Sequence, residues 1–334
     1  MTMRFTRIAG VGHYVPDRVV TNHDLEQLMD TSDEWIQERT GIRERRFADD
    51  DTGCADLATE AARAALADAG WSPEDVQFIV FATLSPDLFF PGNGVLLQRN
   101  LGIPGIGAVD IRTQCTGFVY GLAVADGLVR MGMYDRVLLV GAELQSAGLR
   151  MTTEGRDTAV LFGDGSGAIC LEATVDENGS RVLSHRLHAD GRYAEELSVL
   201  RPGARMRPWI SKEMIDDGSV FVQMNGREVF KHAVTKFPAV IEEVLESEGY
   251  TAAQVDMVIP HQANERITEA VRKRLGLPPE KVYSNIAKYG NTTAASIPIA
   301  LSEAVKQGQV KRGDLVCLAA FGSGFTWGAS LLRY

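Results

Sequence analysis

The chain has 334 residues, 45% hydrophobic and 23% charged, with 34 Lys and Arg against 44 Asp and Glu for a formal net charge of −10. That composition builds a real core in one large domain or two ordinary ones, and its acidic balance excludes the basic footprint of non-specific nucleic-acid binding. No apolar run reaches bilayer length, the first residues lack the apolar core of a signal peptide, and four widely spaced cysteines (54, 115, 170, 317) with no CxxC pair and no HExxH point away from disulfides and metal and toward a reducing cytoplasm.

In chain order, a helical pattern over 55–69 runs into Gly70 and then the run Phe78-Ile79-Val80-Phe81-Ala82. The run is apolar throughout, as in a central strand buried on both faces. A second apolar strand-like run, Ala108-Val109-Asp110-Ile111, precedes Cys115, and Leu122, Val124, Ala125, Leu128 and Val129 form a helical pattern after it. Cys115 is thereby placed at a helix N-terminus, where unpaired N–H groups favour a thiolate. A buried cysteine that serves only as a small apolar core residue is the alternative. Val137-Leu138-Leu139-Val140 is the next buried strand.

The segment 178–217 holds Gly191, Pro202, Gly203 and Pro208 with scattered charge. It reads as a structured connection of turns, with room for a hairpin. Beyond it the pattern of the first half recurs. Gly70-Trp71 to Val80 is echoed by Gly249-Tyr250 to Ile259, Leu101-Gly102-Ile103-Pro104 by Leu275-Gly276-Leu277-Pro278, and Val137 to Gly141 by Leu315 to Ala319, at offsets of 179, 174 and 178. Three echoes in one order at nearly one offset indicate a duplicated α/β half, 1–177 and 178–334. The period is too long for a solenoid. Alternating helical and strand patterns in each half predict mixed sheets with helices on their faces.

His261 follows the strand that ends at Ile259 and precedes a helix over 265–275, the strand-end position that α/β proteins use for functional side chains. Asn291 follows Gly290 ahead of a run of small residues, and on spacing alone it reads as an ordinary helix cap. Gly163-Asp164-Gly165-Ser166-Gly167 and Gly322-Ser323-Gly324 have the wrong spacing for phosphate loops and read as places of close backbone approach.

Taken together, Gln-Cys-Thr-Gly-Phe at 114–118, His-Gln-Ala-Asn at 261–264, Gly-Asn-Thr-Thr-Ala-Ala-Ser at 290–296 and Gly-Phe-Thr-Trp-Gly at 324–328 resemble β-ketoacyl-acyl carrier protein synthase III, the initiating condensing enzyme of the thiolase superfamily. Thr31-Ser32-Asp33-Glu34-Trp35-Ile36 and Arg39 to Arg45 extend the resemblance over nearly the whole chain. It implies the thiolase fold, an α/β architecture with duplicated halves in five αβαβα layers, and a homodimer. The implied substrates are acyl-CoA, which is a substrate and not a cofactor, and malonyl-acyl carrier protein. The implied roles are nucleophile for Cys115, enolate donors for His261 and Asn291, and an oxyanion hole from the N–H groups of Cys115 and Ser323. CoA binding falls to Thr31, Trp35, Arg39, Arg156, Gly226 and Asn264, and the acyl pocket to Phe162, Phe230, Phe321 and a Phe90 that crosses to the partner. Lys231, Arg266, Arg272, Lys273 and Arg274 are implied to dock the carrier protein. The chain departs from the family's Gly-Gly-Gly at Ser323, carries Arg227 beside Gly226, and is unusually polar at Asp110-Ile111-Arg112-Thr113-Gln114. The last point keeps open a specialised relative that loads an aromatic or medium-chain starter for a secondary metabolite. A non-catalytic binding protein with a buried Cys115 is the third reading.

Overall fold

The computed structural model describes residues 3–334. Five strands, β1 (Phe5–Tyr14), β2 (Phe78–Ala82), β3 (Gly107–Ile111), β4 (Arg136–Glu143) and β5 (Gly165–Thr174), form one sheet in the order β1-β5-β4-β2-β3. Four more, β6 (Arg181–Ala189), β7 (Met257–Pro260), β8 (Leu315–Gly322) and β9 (Thr326–Arg333), form a second in the order β7-β8-β9-β6. In the first sheet β2 runs parallel to β3 and β4 while β5 is antiparallel to β4 and β1. The second repeats this: β7 is parallel to β8, and β9 is antiparallel to β8 and β6. Only the counterpart of β3 is missing, reduced to one parallel bridge between Val258 and Val282.

The helices that matter for the site are α1 (Asp33–Thr40), α2 (Cys54–Ala69), α3 (Asn93–Leu101), α4 (Gly117–Arg130), α5 (Gly226–Glu246), α6 (Glu265–Arg274) and α7 (Ser296–Lys306). α4 and α7 lie between the sheets. Phe118 and Leu122 of α4 and Leu301 of α7 share a core with Leu139 of the first sheet and Ile259 and Leu318 of the second. α2 and α3 cover the far face of the first sheet through Ala58, Ala65 and Leu97 against Ile79 and Leu138. α5 and α6 cover the far face of the second through Phe237, Ile241 and Val271 against Val258 and Cys317. The layers are therefore αβαβα, as expected from the sequence. Strands β2, β4 and β8 read as continuous apolar runs because each is covered on both faces.

The internal echo is structural as well. Gly70 and Gly249 have φ of 69° and 74°, the left-handed turn that ends a helix and that only glycine takes without strain. The connection 178–217 differs from the expectation. Its first part is the strand β6, at the sheet edge, in which only Val182 is buried. With so little apolar alternation, Arg181-Val182-Leu183-Ser184-His185-Arg186 carries almost no strand signal. The hairpin-like element is a short ladder of Leu197–Ser198 with Gln223–Met224, whose second arm lies beyond residue 217.

Candidate active site

Cys115 sits where β3 gives way to a tight 3₁₀ turn, Gln114–Thr116, that leads directly into α4. The turn requires Gln114 to adopt φ 49°, a strained value for a residue with a Cβ. Cys115 is 6% exposed. A Cβ built on Gly322, at the end of β8, would stand 2.5 Å from the Cys115 Cβ and 3.0 Å from its Sγ, so only glycine allows β8 to pass this close. The backbone N–H groups of Ser323 and Cys115 act on the sulfur and favour its anion, yet burial outweighs them. Desolvation first, and the nearby Glu143 carboxylate second, push the thiol up to about 12. A helix N-terminus alone suggested the opposite direction; burial wins.

His261 continues from β7 with its N–H donating to Ala319 O at 2.8 Å. It is 1% exposed, Nδ1 lies 2.7 Å from Ser296 Oγ, and Nε2 is buried without a partner. Burial pushes the imidazole down to about 3, so the ring is neutral. Asn291 is held by its backbone: its N–H donates to Leu161 O at 2.8 Å, and its carbonyl accepts from Gly163 N–H at 3.1 Å. Asn291 Oδ1 accepts from Thr293 N–H at 2.9 Å, which leaves the amide NH₂ as the free end of the side chain. It is not the cap of α7, whose flanking residue is Ala295.

These three side chains line one cavity of about 320 Å³. Trp35, Arg39, Gly226 and Asn264 line the same cavity. The guanidinium of Arg39 lies 4.5 Å from the Trp35 ring centroid and that of Arg156 lies 5.3 Å from it. Arg156 also donates to Asp30 O at 2.6 Å. Thr31 Oγ1 is buried without a partner. Asn264 caps α6 by accepting from Arg266 N–H and ties it to α1 by donating to Arg39 O, both at 2.9 Å. A Cβ on Gly226 would meet only Met224 Cε at 3.9 Å, so space within the chain does not demand glycine there. Arg227 is exposed and does not line the cavity.

Cys115 also lines a second cavity of about 230 Å³. Ser323 lines it, with its hydroxyl donating to Leu197 O. Phe162 faces both cavities, whereas Phe230 and Phe321 line only the first. Phe90 is 79% exposed and lines neither. Of the basic residues, Arg272 and Lys273 both pair with Glu269, at 2.7 and 3.2 Å, and Arg272 also donates to Leu277 O, a helix-end contact. Lys231 pairs with Glu228 at 3.2 Å, and Arg266 lies 5.7 Å from the ring of Phe230, which lines the first cavity. Arg274 forms no ion pair among the described residues.

Several site residues escaped the sequence reading. Ser296 ends the 290–296 motif and Glu143 ends the strand β4, but neither carries a signal of its own; Gly322 does make the close backbone approach expected of its glycine-rich turn. Leu197, Val199 and Val222 of the second cavity come from the connection and the ladder after it, where no periodicity exists to follow. Glu143, fully buried, accepts from Ser85 Oγ at 2.6 Å, Gln145 Nε2 at 3.0 Å and Leu84 N–H at 3.2 Å, and burial raises its own pKa. All four cysteines are unpaired and buried. Among the described residues no His, Cys, Asp or Glu cluster could hold a metal ion, and no helix is long and apolar enough to cross a membrane.

Comparison with known proteins matches the chain and its fold to a family. Residues 109–191 match the model for 3-oxoacyl-[acyl-carrier-protein (ACP)] synthase III, and residues 245–334 match the model for its C-terminal part. The chain is 47% identical to a β-ketoacyl-[acyl-carrier-protein] synthase III of Caldanaerobacter subterraneus, over 98% of this chain and 97% of that one. A crystal structure of the 3-oxoacyl-[acyl-carrier-protein] synthase III from Aquifex aeolicus superposes with a TM-score of 0.90 at 45% identity, covering 98% of this chain and 100% of the other. The priming β-ketosynthase of the R1128 polyketide pathway superposes with a TM-score of 0.88 at 31% identity, covering 99% and 96%.

Proposed function

This chain belongs to the β-ketoacyl-[acyl-carrier-protein] synthase III family, and on that premise we propose how its residues carry out the initiating condensation of fatty acid synthesis. The enzyme is an acyltransferase of the thiolase fold. In the first half-reaction the Cys115 sulfur attacks the thioester carbonyl of an acyl-CoA, the C–S bond to CoA breaks, and CoA leaves as its thiol. The N–H groups of Cys115 and Ser323 donate to the oxyanion of the tetrahedral intermediate. Burial pushes the Cys115 thiol up, and the proton it gives up on attack leaves on the CoA thiol.

In the second half-reaction malonyl-acyl carrier protein enters by the same cavity and loses carbon dioxide. The electron pair of the broken C–C bond moves into the thioester carbonyl, and the enolate oxygen receives hydrogen bonds from His261 and the Asn291 amide. The enolate carbon then attacks the acyl carbonyl on Cys115, the acyl C–S bond breaks, the Cys115 sulfur leaves as thiolate and takes up a proton, and the β-ketoacyl product is released on the carrier protein. Trp35, flanked by Arg39 and Arg156, offers a flat face and cationic partners for the nucleotide end of CoA; Asn264 and Gly226 line the same cavity, and the buried, unpartnered Thr31 hydroxyl is a further hydrogen-bonding group for it. Lys231, Arg266, Arg272, Lys273 and Arg274 provide positive charge for an acidic carrier protein; the pairing of Arg272 and Lys273 with Glu269 leaves Arg266 and Arg274 the freer of the set.

The observation that carries this reading is that Cys115, His261 and Asn291 line one cavity. It is tested by the intact mass of the enzyme after incubation with acyl-CoA, then with malonyl-acyl carrier protein. Acylation that is lost in Cys115→Ala and discharged by the second substrate is expected; alkylation of Cys115 by iodoacetamide no faster than that of Cys54 or Cys317 would leave only a binding protein.

A cytoplasmic homodimer, with halves 1–177 and 178–334 in each subunit, completes the proposal. The outer edge of β3 has no strand partner among the described residues, and Leu88, Phe89 and Phe90 beside it are 47%, 71% and 79% exposed. An open edge next to a large apolar cluster suits a second copy that seats Phe90 against the acyl pocket. One specific observation also favours an aromatic or medium-chain starter for a secondary metabolite. The second cavity, about 230 Å³, exceeds the roughly 150 Å³ that holds benzene in an engineered core. A panel of acyl-CoAs read by intact mass separates the two, and strong preference for acetyl-CoA removes the larger starter.

A further inference from the structure

A hydroxyl carries one proton, and at Ser296 that proton has one destination. Ser296, the first residue of α7, is 2% exposed. Its Oγ accepts the backbone N–H of Gln262 at 3.3 Å and lies 2.7 Å from Nδ1 of His261; no other hydrogen bond reaches it among the described residues. The neutral ring of His261 holds one proton on one of two nitrogens. If that proton sat on Nδ1, it would point at an oxygen that already accepts from Gln262, and the Ser296 hydrogen would be buried with no acceptor. If it sits on Nε2, Gln262 donates to Ser296, Ser296 donates to Nδ1, and every hydrogen in the chain is placed. The one group left over is Nε2–H, which is buried and without a partner.

We infer that Ser296 is a positioning residue that holds His261 as its Nε2–H tautomer, so the ring presents a hydrogen-bond donor to the cavity. This rests on reading His261 as a donor to the enolate. His261 and the Asn291 amide then form a pair of neutral donors whose hydrogens both aim at developing negative charge, and no proton changes hands in decarboxylation. In the resting enzyme the same tautomer withholds a basic nitrogen from Cys115.

Nitrogen-15 NMR of histidine-labelled protein at neutral pH tests this, with His261 assigned by the signals missing in His261→Gln. A protonated Nε2 and an unprotonated, hydrogen-bonded Nδ1 are expected; an Nδ1–H ring in the wild type overturns the inference. In Ser296→Ala the tautomer becomes mixed and condensation falls roughly 10- to 100-fold, in the range of losing a hydrogen-bond partner behind a working histidine, while acyl-CoA still loads Cys115. Ser296→Thr, which keeps the hydroxyl, recovers condensation. If Ser296→Ala condenses normally while His261→Gln does not, the inference fails and the donor role stands. If His261→Gln also condenses normally, both fail. Should Ser296→Ala not fold, the wild-type spectrum alone decides.

Discussion

Gln114 and Thr293 are the two non-glycine residues with positive φ among the described residues, at 49° and 43°, and they lie 179 residues apart. Each opens a 3₁₀ turn or its approach, Gln114–Thr116 and Thr293–Ala295, that leads into one of the two central helices, α4 and α7. The offset is the same as that relating the strands β2 and β7. The strained turn is thus built twice. One copy carries the thiol, and the other places Ser296 against His261 and anchors Asn291 through the Thr293 N–H.

A β-branched residue resists positive φ more than glutamine does. Gln114→Val is expected to destabilise the fold by about 1–3 kcal/mol, and Gln114→Gly by under about 1. Urea midpoints check this, and equal stability of all three chains would remove strain from the account.

Gly322→Ala puts a methyl within 2.5 Å of the Cys115 Cβ. The overpacking is expected to take about 1–3 kcal/mol from stability and to displace the thiol, so that acyl-CoA no longer adds mass to the protein. Normal acylation of this variant would mean that β8 is free to move away.

The Cys115 thiol, pushed up to about 12, forms thiolate in proportion to hydroxide throughout the neutral range. Its alkylation by iodoacetamide should therefore rise about tenfold per pH unit from pH 7 to 10, past the point near 8.5 where an ordinary thiol levels off. Removing the Glu143 charge in Glu143→Gln should raise the rate at any one pH. A plateau below pH 8 would show that the N–H groups of the turn outweigh burial.

Asn291→Asp can still accept the Thr293 N–H, so the loop is expected to hold. A carboxylate faces the enolate in place of a donor, and condensation should drop by about 10²–10³ while acylation of Cys115 persists. Unimpaired condensation would exclude Asn291 from the second half-reaction.

His261 is depressed from 6.5 to about 3 and His13 to about 4, both chiefly by burial. In the folded protein they bind fewer protons than in the unfolded chain across that window, so the stability is present above pH 6.5 and is lost as pH falls toward 4. Urea midpoints between pH 7 and 4.5 should decline, and the decline should flatten in His13→Gln. A pH-independent midpoint would contradict neutral burial of these rings.

The internal duplication, the two-face-buried strands β2 and β4, the helix after Cys115 and mixed sheets covered by helices were legible in the sequence, because apolar periodicity and repeated turn glycines are local signals that survive without a structure; the five αβαβα layers came from the family resemblance. The motifs around residues 115, 261 and 291 were legible as a resemblance, and Asn291 by its spacing alone was not. The strand β6 was missed because an edge strand with one buried side chain has no alternation to read.

What only the tertiary structure decided concerns distance across the chain. It brought the Gly322 backbone against Cys115, Ser296 against His261, and Leu197 and Val222 around a second cavity, between residues with no sequence signal linking them. It also reversed the expected direction of the Cys115 titration. A helix N-terminus can be read from residues nearby, but desolvation is the sum of everything packed around the sulfur, and that sum exists only in the folded chain.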